Sequence, residues 1–186
     1  VELRARAFAY EEFGEPGKVV EDRVDDRLGI RLVTFDNGVR LNLKRTDIRK
    51  DRLQVRVAVD GGQLLDTRED PLATAMVAAL ASGGLGAHSQ DELATILAGR
   101  AVSFGLSAAS DSFVMTSGTT PRDLDLQLQL AAALVTDPGY RAEGEERYAR
   151  SIENYFANLD ATPARALGTT LGGILSDGDP RFTLQP

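Results

Sequence analysis

The 186-residue chain has no cysteine and a single histidine, His88. Without cysteine there is no disulfide and no thiol chemistry, and cytosol and periplasm both stay open. One histidine and no cysteine fall short of the ligand set that a protein-built zinc site normally needs. No apolar run approaches the length that spans a membrane. Basic residues are in the minority, 21 Lys and Arg against 28 Asp and Glu, for a net charge of −7. Phosphate backbones call for a basic surface, so the balance argues against nucleic acid as a partner. No serine stands in a nucleophile-elbow pattern, and the acids fall in loops and helix caps. No signal peptide is visible and the first residue is Val, so the chain reads as an excised or processed piece of something longer.

What is there fits one soluble globular domain with an arm. Hydrophobic residues make up 42% and charged residues 26%. The organising stretch is Pro71–Ser89, an alanine-rich helix that runs into a glycine turn. Leu72, Met76, Val77 and Leu80 recur at spacings of three and four and predict a buried stripe. Gly83 and Gly84 predict a left-handed C-terminal cap. Between Pro71 and Ala87 the helix carries no His, Glu, Asp, Cys, Lys or Arg. Nothing on it can hold a metal or move a proton.

Before that helix the chain reads as strands. Leu3–Phe13 alternates as one strand, and Val19–Leu28 is so charged that it reads as a solvated linker. Ile30–Phe35 and Val39–Leu43 form a hairpin across Asp36-Asn37-Gly38, with Val39, Leu41 and Leu43 facing one way. Leu53–Val59 alternates cleanly, and Gly61-Gly62 ends it. Lys44, Arg45, Arg49, Lys50 and Arg52 form a basic knot that reads as a charged strand connection.

After the helix, Ser89-Gln90-Asp91-Glu92 predicts a capping box for a helix buried on Leu93, Ile96 and Leu97. The Gly83–Gly86 loop matches a phosphate-binding loop poorly, since it has no following lysine and follows no strand. His88 reads there as a polar loop residue. Ala101–Ala108 and Ser112–Ser117 form a strand pair. Thr120-Pro121 starts a helix through Leu124, Leu128, Ala131, Leu134 and Val135 that ends at Asp137-Pro138. Ala142–Leu159 is a helix with Tyr148, Ile152, Tyr155 and Phe156 on one face. Thr162-Pro163 starts another, with Leu167, Leu171, Ile174 and Leu175. The Asp177–Asp179 loop lacks the spaced ligands and closing Glu of a calcium loop. The order predicts an α+β fold: an antiparallel or mixed sheet of at least five strands, with helices packed on one face. Residues 1–28 are expected as an arm from a preceding domain and 29–186 as one domain.

The order and local wording resemble the pitrilysin/insulinase family of inverted-zincin metallopeptidases, which includes mitochondrial processing peptidase. The likeness lies in Phe35-Asp36-Asn37-Gly38-Val39-Arg40 before a strand and in a strand ending at Gly61-Gly62. It continues through the helix, the glycine turn and Ser89-x-x-Glu92-Leu93. The strand pair across Asp111-Ser112-Phe113 and the Asp123-Leu124 helix ending at Asp137-Pro138 complete it.

Active members carry H-x-x-E-H on the first long helix, two zinc-binding histidines and a general-base Glu. The resemblance places Thr74 and Ala78 where the histidines would be and Val77 where the Glu would be. Glu153 falls near the third zinc ligand. The resemblance therefore implies a non-catalytic domain with no catalytic, cofactor or metal residues of its own. Zinc would sit in another domain of the same polypeptide, and together the domains would enclose a peptide substrate. Phe8-Ala9-Tyr10 and Phe13-Gly14 would close the preceding domain. Ser103, Ser107 and Thr116, on the small and polar side of the strand pair, are the candidate peptide-facing residues. For a bacterial member the implied compartment is periplasmic or secreted, with the cytoplasm also open. A free-standing scaffold or binding subunit of the same fold is the alternative.

Overall fold

A computed structural model describes residues 7–183 of the chain. The chain divides into two units, one of Glu11–Arg52 and one of Val1–Tyr10 with Leu53–Pro186. The division between these compact units falls at residues 10 and 52.

In the smaller unit, β1 (Val19–Asp25), β2 (Ile30–Phe35) and β3 (Arg40–Lys44) form an antiparallel sheet in that order. The stretch expected as a solvated linker is thus largely a strand. Its charges are cross-strand partners, which are a unit of sheet stability. The Arg31 guanidinium donates to both Asp22 oxygens, at 2.9 and 2.6 Å. The β2–β3 hairpin forms as expected, but the turn differs in kind. Gly38 alone takes positive φ, +84°, and its N–H donates to the Phe35 carbonyl at 3.0 Å. That is a three-residue loop with a left-handed glycine. Leu41 and Leu43 share a sheet face with Val33, yet only Val33 is buried; Val39, Leu41 and Leu43 are exposed.

In the larger unit, β4 (Leu53–Asp60), β5 (Ser107–Ala108) and β6 (Ser112–Thr119) form a second antiparallel sheet, ordered β4-β6-β5. The described residues thus hold two three-stranded sheets in place of one sheet of five or more. Leu53, Val55 and Val57 are half-buried and alternate with exposed Gln54 and Arg56, as the pattern predicts. The helices are α1 (Val77–Ser82), α2 (Gln90–Ile96), α3 (Leu124–Thr136), α4 (Ala142–Ala157) and α5 (Pro163–Leu175). The class is α+β.

The core lies between the β4-β6-β5 sheet and α3. Leu85, Leu93, Met115, Leu130 and Leu134 are its buried members. The phase of α3 differs from the expected one, for Leu128 and Val135 are exposed. Its inner face runs through Gln127, Leu130, Ala131 and Leu134, so a polar side chain helps to mark it. The organising helix is also shorter than expected. A turn of 3₁₀ helix, Ala73–Met76, leads into the six residues of α1, and Leu72 and Met76 are exposed rather than buried. The cap is as expected: Gly84 has φ +75°. α1 meets α4 through glycine, because a Cβ on Gly144 would lie 2.6 Å from the Gly83 Cα. Along α5 no residue is buried, and Leu167, Leu171, Ile174 and Leu175 are all exposed.

Leu3–Phe13, expected as a strand, lies partly outside the described residues. From residue 7 to residue 13 the chain is not in a strand. Phe8 and Tyr10 pack against the core of the larger unit. They belong to the larger unit.

Candidate functional site

The most densely bonded polar cluster is the loop from Gly83 to His88. The Arg141 guanidinium fills it. Nη1 donates to the carbonyls of Gly83 at 2.7 Å, Leu85 at 2.6 Å and His88 at 3.2 Å, and Nη2 to Gly86 at 2.7 Å. The loop therefore turns carbonyls inward, onto a cation. Its amides are spent as well, since Leu85 N–H donates to the His88 carbonyl and Gly86 N–H to the Asp137 carbonyl. No cradle of free amides is left for a phosphate.

His88 is not the polar loop residue expected. It is 3% exposed, stacked on Phe8 with ring centroids 5.7 Å apart. Its Nε2 accepts the Ala9 amide at 2.9 Å. Tyr10 lies edge-on to it. The Tyr10 hydroxyl donates to Asp137 at 2.6 Å and accepts from Ala87 N–H at 2.8 Å. Burial pushes the Tyr10 phenol up from its ordinary value, and the bond to Asp137 adds to the rise. The predicted capping box is complete at the head of α2. Ser89 Oγ accepts from Glu92 N–H at 3.2 Å, and Glu92 Oε2 accepts from Ser89 N–H at 3.0 Å.

The three candidate peptide-facing residues are all exposed, but they are not equivalent. Ser107 pairs with Val114 in the ladder, and Thr116 lies two residues along β6, so Ser107 and Thr116 share one face. Arg56, the β4 partner of Thr116, shares it too. Ser103 stands outside the sheet, since residues 101–106 are extended without ladder pairing. Gln127 holds that stretch in place of a strand. Its Oε1 accepts from Ser103 N–H at 2.8 Å and its Nε2 donates to the Ser103 carbonyl at 2.9 Å. Ladder pairing between β5 and β6 stops at Ser107–Val114, and from Met115 to Thr119 the ladder partner of β6 is β4.

Two buried carboxylates are held by arginines. Asp123, 1% exposed, accepts from Arg122, from Ala101 N–H, from Arg100 and from the Thr120 hydroxyl. The Arg122 bond and then the Ala101 amide hold its carboxyl well below the usual range. Thr120 therefore acts through Asp123 and makes no cap bond to the backbone itself. Asp179 accepts from the Arg181 guanidinium at 2.9 and 2.7 Å and from the Arg181 amide at 3.0 Å, with Arg68 at 3.3 Å. Arg181 likewise holds its carboxyl well below the usual range. Both are structural anions that sequence reading passed over. In Asp179 the signal was the arginine two positions on.

No protein-family model and no curated protein matches the chain. Among solved structures it superposes on the periplasmic protease PqqL from Escherichia coli with TM-score 0.75, at 16% identity, over 97% of this chain and 20% of that one. It also superposes on the ferredoxin protease FusC, solved in complex with Arabidopsis ferredoxin, with TM-score 0.72. There the identity is 16%, over 100% of this chain and 20% of that one. The chain has the fold of a protease domain. It spans about a fifth of the length of each of these proteases. PqqL is an inverted zincin of the pitrilysin/insulinase family, so the resemblance read from the sequence holds at the level of fold.

The residues that the sequence resemblance sets against the zinc motif have the following surroundings. Thr74 is buried, and its N–H and hydroxyl donate to the two Asp66 oxygens, each at 2.9 Å. Val77 and Ala78 open α1 with no ligand atom to offer. Glu153 is exposed on α4. These residues do not fit zinc. No group of three or more His, Cys, Asp or Glu side chains close enough to hold a metal occurs among the described residues, nor is any described helix long and apolar enough to cross a membrane.

Proposed function

We propose that this chain is a non-catalytic domain of a larger zinc-dependent peptidase, forming part of the wall that encloses a peptide substrate. The observation that carries the reading is the position of the metal motif. The resemblance puts Thr74, Val77 and Ala78 there, and Thr74 is committed to Asp66. A fold kept without its site leaves shape as its use, since chemistry is carried by sites and not by folds. The recurrence of the fold as a fifth of two proteases supports partner domains in the same polypeptide, a zinc-bearing one among them. The periplasmic location of PqqL supports a periplasmic or secreted parent.

The face that carries Ser107 and Thr116 is the proposed peptide-facing surface, with Ser103 beside it. Small exposed side chains leave room for an extended peptide. Beyond Val114, where β5 no longer pairs, residues 103–105 flank Met115–Ser117 without ladder bonds, and a peptide strand would add main-chain bonds to β6 there in their place.

Two measurements test this. The isolated chain is expected to bind no stoichiometric zinc and to cleave no peptide; tight saturable zinc binding at neutral pH would overturn the non-catalytic reading. In the full-length protein, bulky substitutions at Ser103, Ser107 or Thr116 are expected to slow peptide turnover without lowering the melting temperature. Unchanged turnover with a lowered melting temperature would make these residues packing positions.

A further inference from the structure

The single imidazole of the chain is spent on holding an N-terminal segment. An amide N–H donates to a lone pair, so the bond from Ala9 to Nε2 requires that nitrogen to be unprotonated. The ring is then the neutral tautomer with its hydrogen on Nδ1. Nδ1 is itself buried and has no hydrogen-bond partner. Phe8 and Tyr10 flank the ring on two sides, and the Tyr10 hydroxyl makes the second attachment, to Asp137 and to the Ala87 amide.

We propose that the 84–88 loop and Asp137 form a clasp for an aromatic-X-aromatic segment, closed here by Phe8–Tyr10 and opened by protonation of His88. A proton on Nε2 turns the acceptor into a donor that faces the Ala9 donor, so the bond is lost and two N–H groups confront each other. The charge would also arise out of water. The titratable and charged groups around it are Tyr10 on the segment, Asp137 after α3, Arg141 at the head of α4 and Glu92 in α2. Arg141 brings like charge, bonded as it is to the His88 carbonyl. Asp137 receives the Tyr10 hydroxyl, and Glu92 caps Ser89. Lifting the segment gives the imidazole access to water, where it can ionise. The closed clasp therefore binds fewer protons than the open one, and acid favours opening. The unpaired Nδ1–H narrows the margin of the closed state, which brings opening within reach of one protonation. The core around Leu130 and Leu134 does not depend on that bond.

Because His88 is the only histidine, its ring nitrogens give unambiguous NMR signals in the whole chain. At neutral pH an unprotonated Nε2 and slow exchange of the Ala9 and Ala87 amides are expected. As His88 gains its proton, both amides should lose protection by roughly tenfold or more after correction for intrinsic rates, while Leu130 and Leu134 stay protected. His88→Gln offers an acceptor that does not titrate, so Ala9 should stay protected in acid. Tyr10→Phe should move opening towards neutral pH. Ala9 protection that is unchanged while His88 titrates would overturn the proposal. So would a His88 that stays neutral down to global unfolding, or the same acid loss in His88→Gln. If His88→Gln does not fold, the wild-type titration alone decides.

Discussion

Gln127 and Ser103 are joined by two hydrogen bonds of opposite direction, side-chain amide to main-chain amide, at 2.8 and 2.9 Å. Gln127 is 4% exposed and does for residues 101–106 what a neighbouring strand would do. Gln127→Leu keeps the bulk and leaves the Ser103 N–H and carbonyl without these partners. The expected loss of stability is roughly 2–4 kcal/mol, read by urea unfolding. Gln127→Glu keeps one acceptor but turns a buried carboxylate oxygen onto the Ser103 carbonyl, and is expected to cost at least as much as Gln127→Leu at neutral pH.

Asp123 and Asp179 set the acid response. Their folded carboxyls are held well below the usual range, by Arg122 and Arg181 first of all. A depressed folded value adds stability above the unfolded value, near pH ~3.9, and loses it as pH falls through and below that point. Asp123→Asn is therefore expected to cost stability at pH 7 and to converge on the wild type as the pH drops below about 4. Unfolding curves at a series of pH values check this. A gap that stays constant into acid would mean that the Asp123 charge is not what stabilises.

Arg141 spans four carbonyls with one planar group. A lysine supplies its donors from a single point and cannot reach all four. Arg141→Lys is expected to lose roughly 1–3 kcal/mol. Arg147, whose ion pair with Asp91 at 3.6 Å is exposed, is the control. Arg147→Lys should change stability by less than about 0.5 kcal/mol.

Placing the zinc-motif residue types at the positions the resemblance gives is expected to fail. Thr74 lies in the 3₁₀ turn and Ala78 in α1, and residues four apart across a 3₁₀ turn do not share a face as they do in an α-helix. The triple change Thr74→His, Val77→Glu and Ala78→His also removes the hydroxyl bond from residue 74 to Asp66 and leaves only the main-chain one. Zinc titration is expected to give no stoichiometric binding. Sub-stoichiometric binding fits that outcome, whereas a one-to-one complex would show that the turn regularises when ligands are supplied.

Much of the architecture was legible where one local rule decides. The Asn37-Gly38 turn, the alternation of Leu53 to Val57, the Ser89 capping box and the Asp137-Pro138 stop are each written within a few residues. What could not be read depends on distant partners. The charges of β1 read as a linker until Arg31, set opposite Val24, is found bonded to Asp22. The buried side of α3 is marked by Gln127, which apolar periodicity leaves out. His88 looks like a loop residue because Ala9, its partner, is 79 positions away, and Tyr10 reaches Asp137 across 127. The engagement of Thr74 by Asp66, eight positions away, was not visible either.

Gly83 and Gly144 meet with no side chain between them. In evolutionary terms such a contact is a ratchet. A Cβ on Gly144 would press on Gly83 and one on Gly83 on the Gly139 carbonyl, and no smaller residue exists with which a glycine neighbour could answer. Relatives that keep this crossing must then keep both glycines while the rest of the sequence drifts. At the 16% identity that separates this chain from the proteases sharing its fold, a glycine ending the first helix and a second one opening the fourth make a better search signature than any average over the chain.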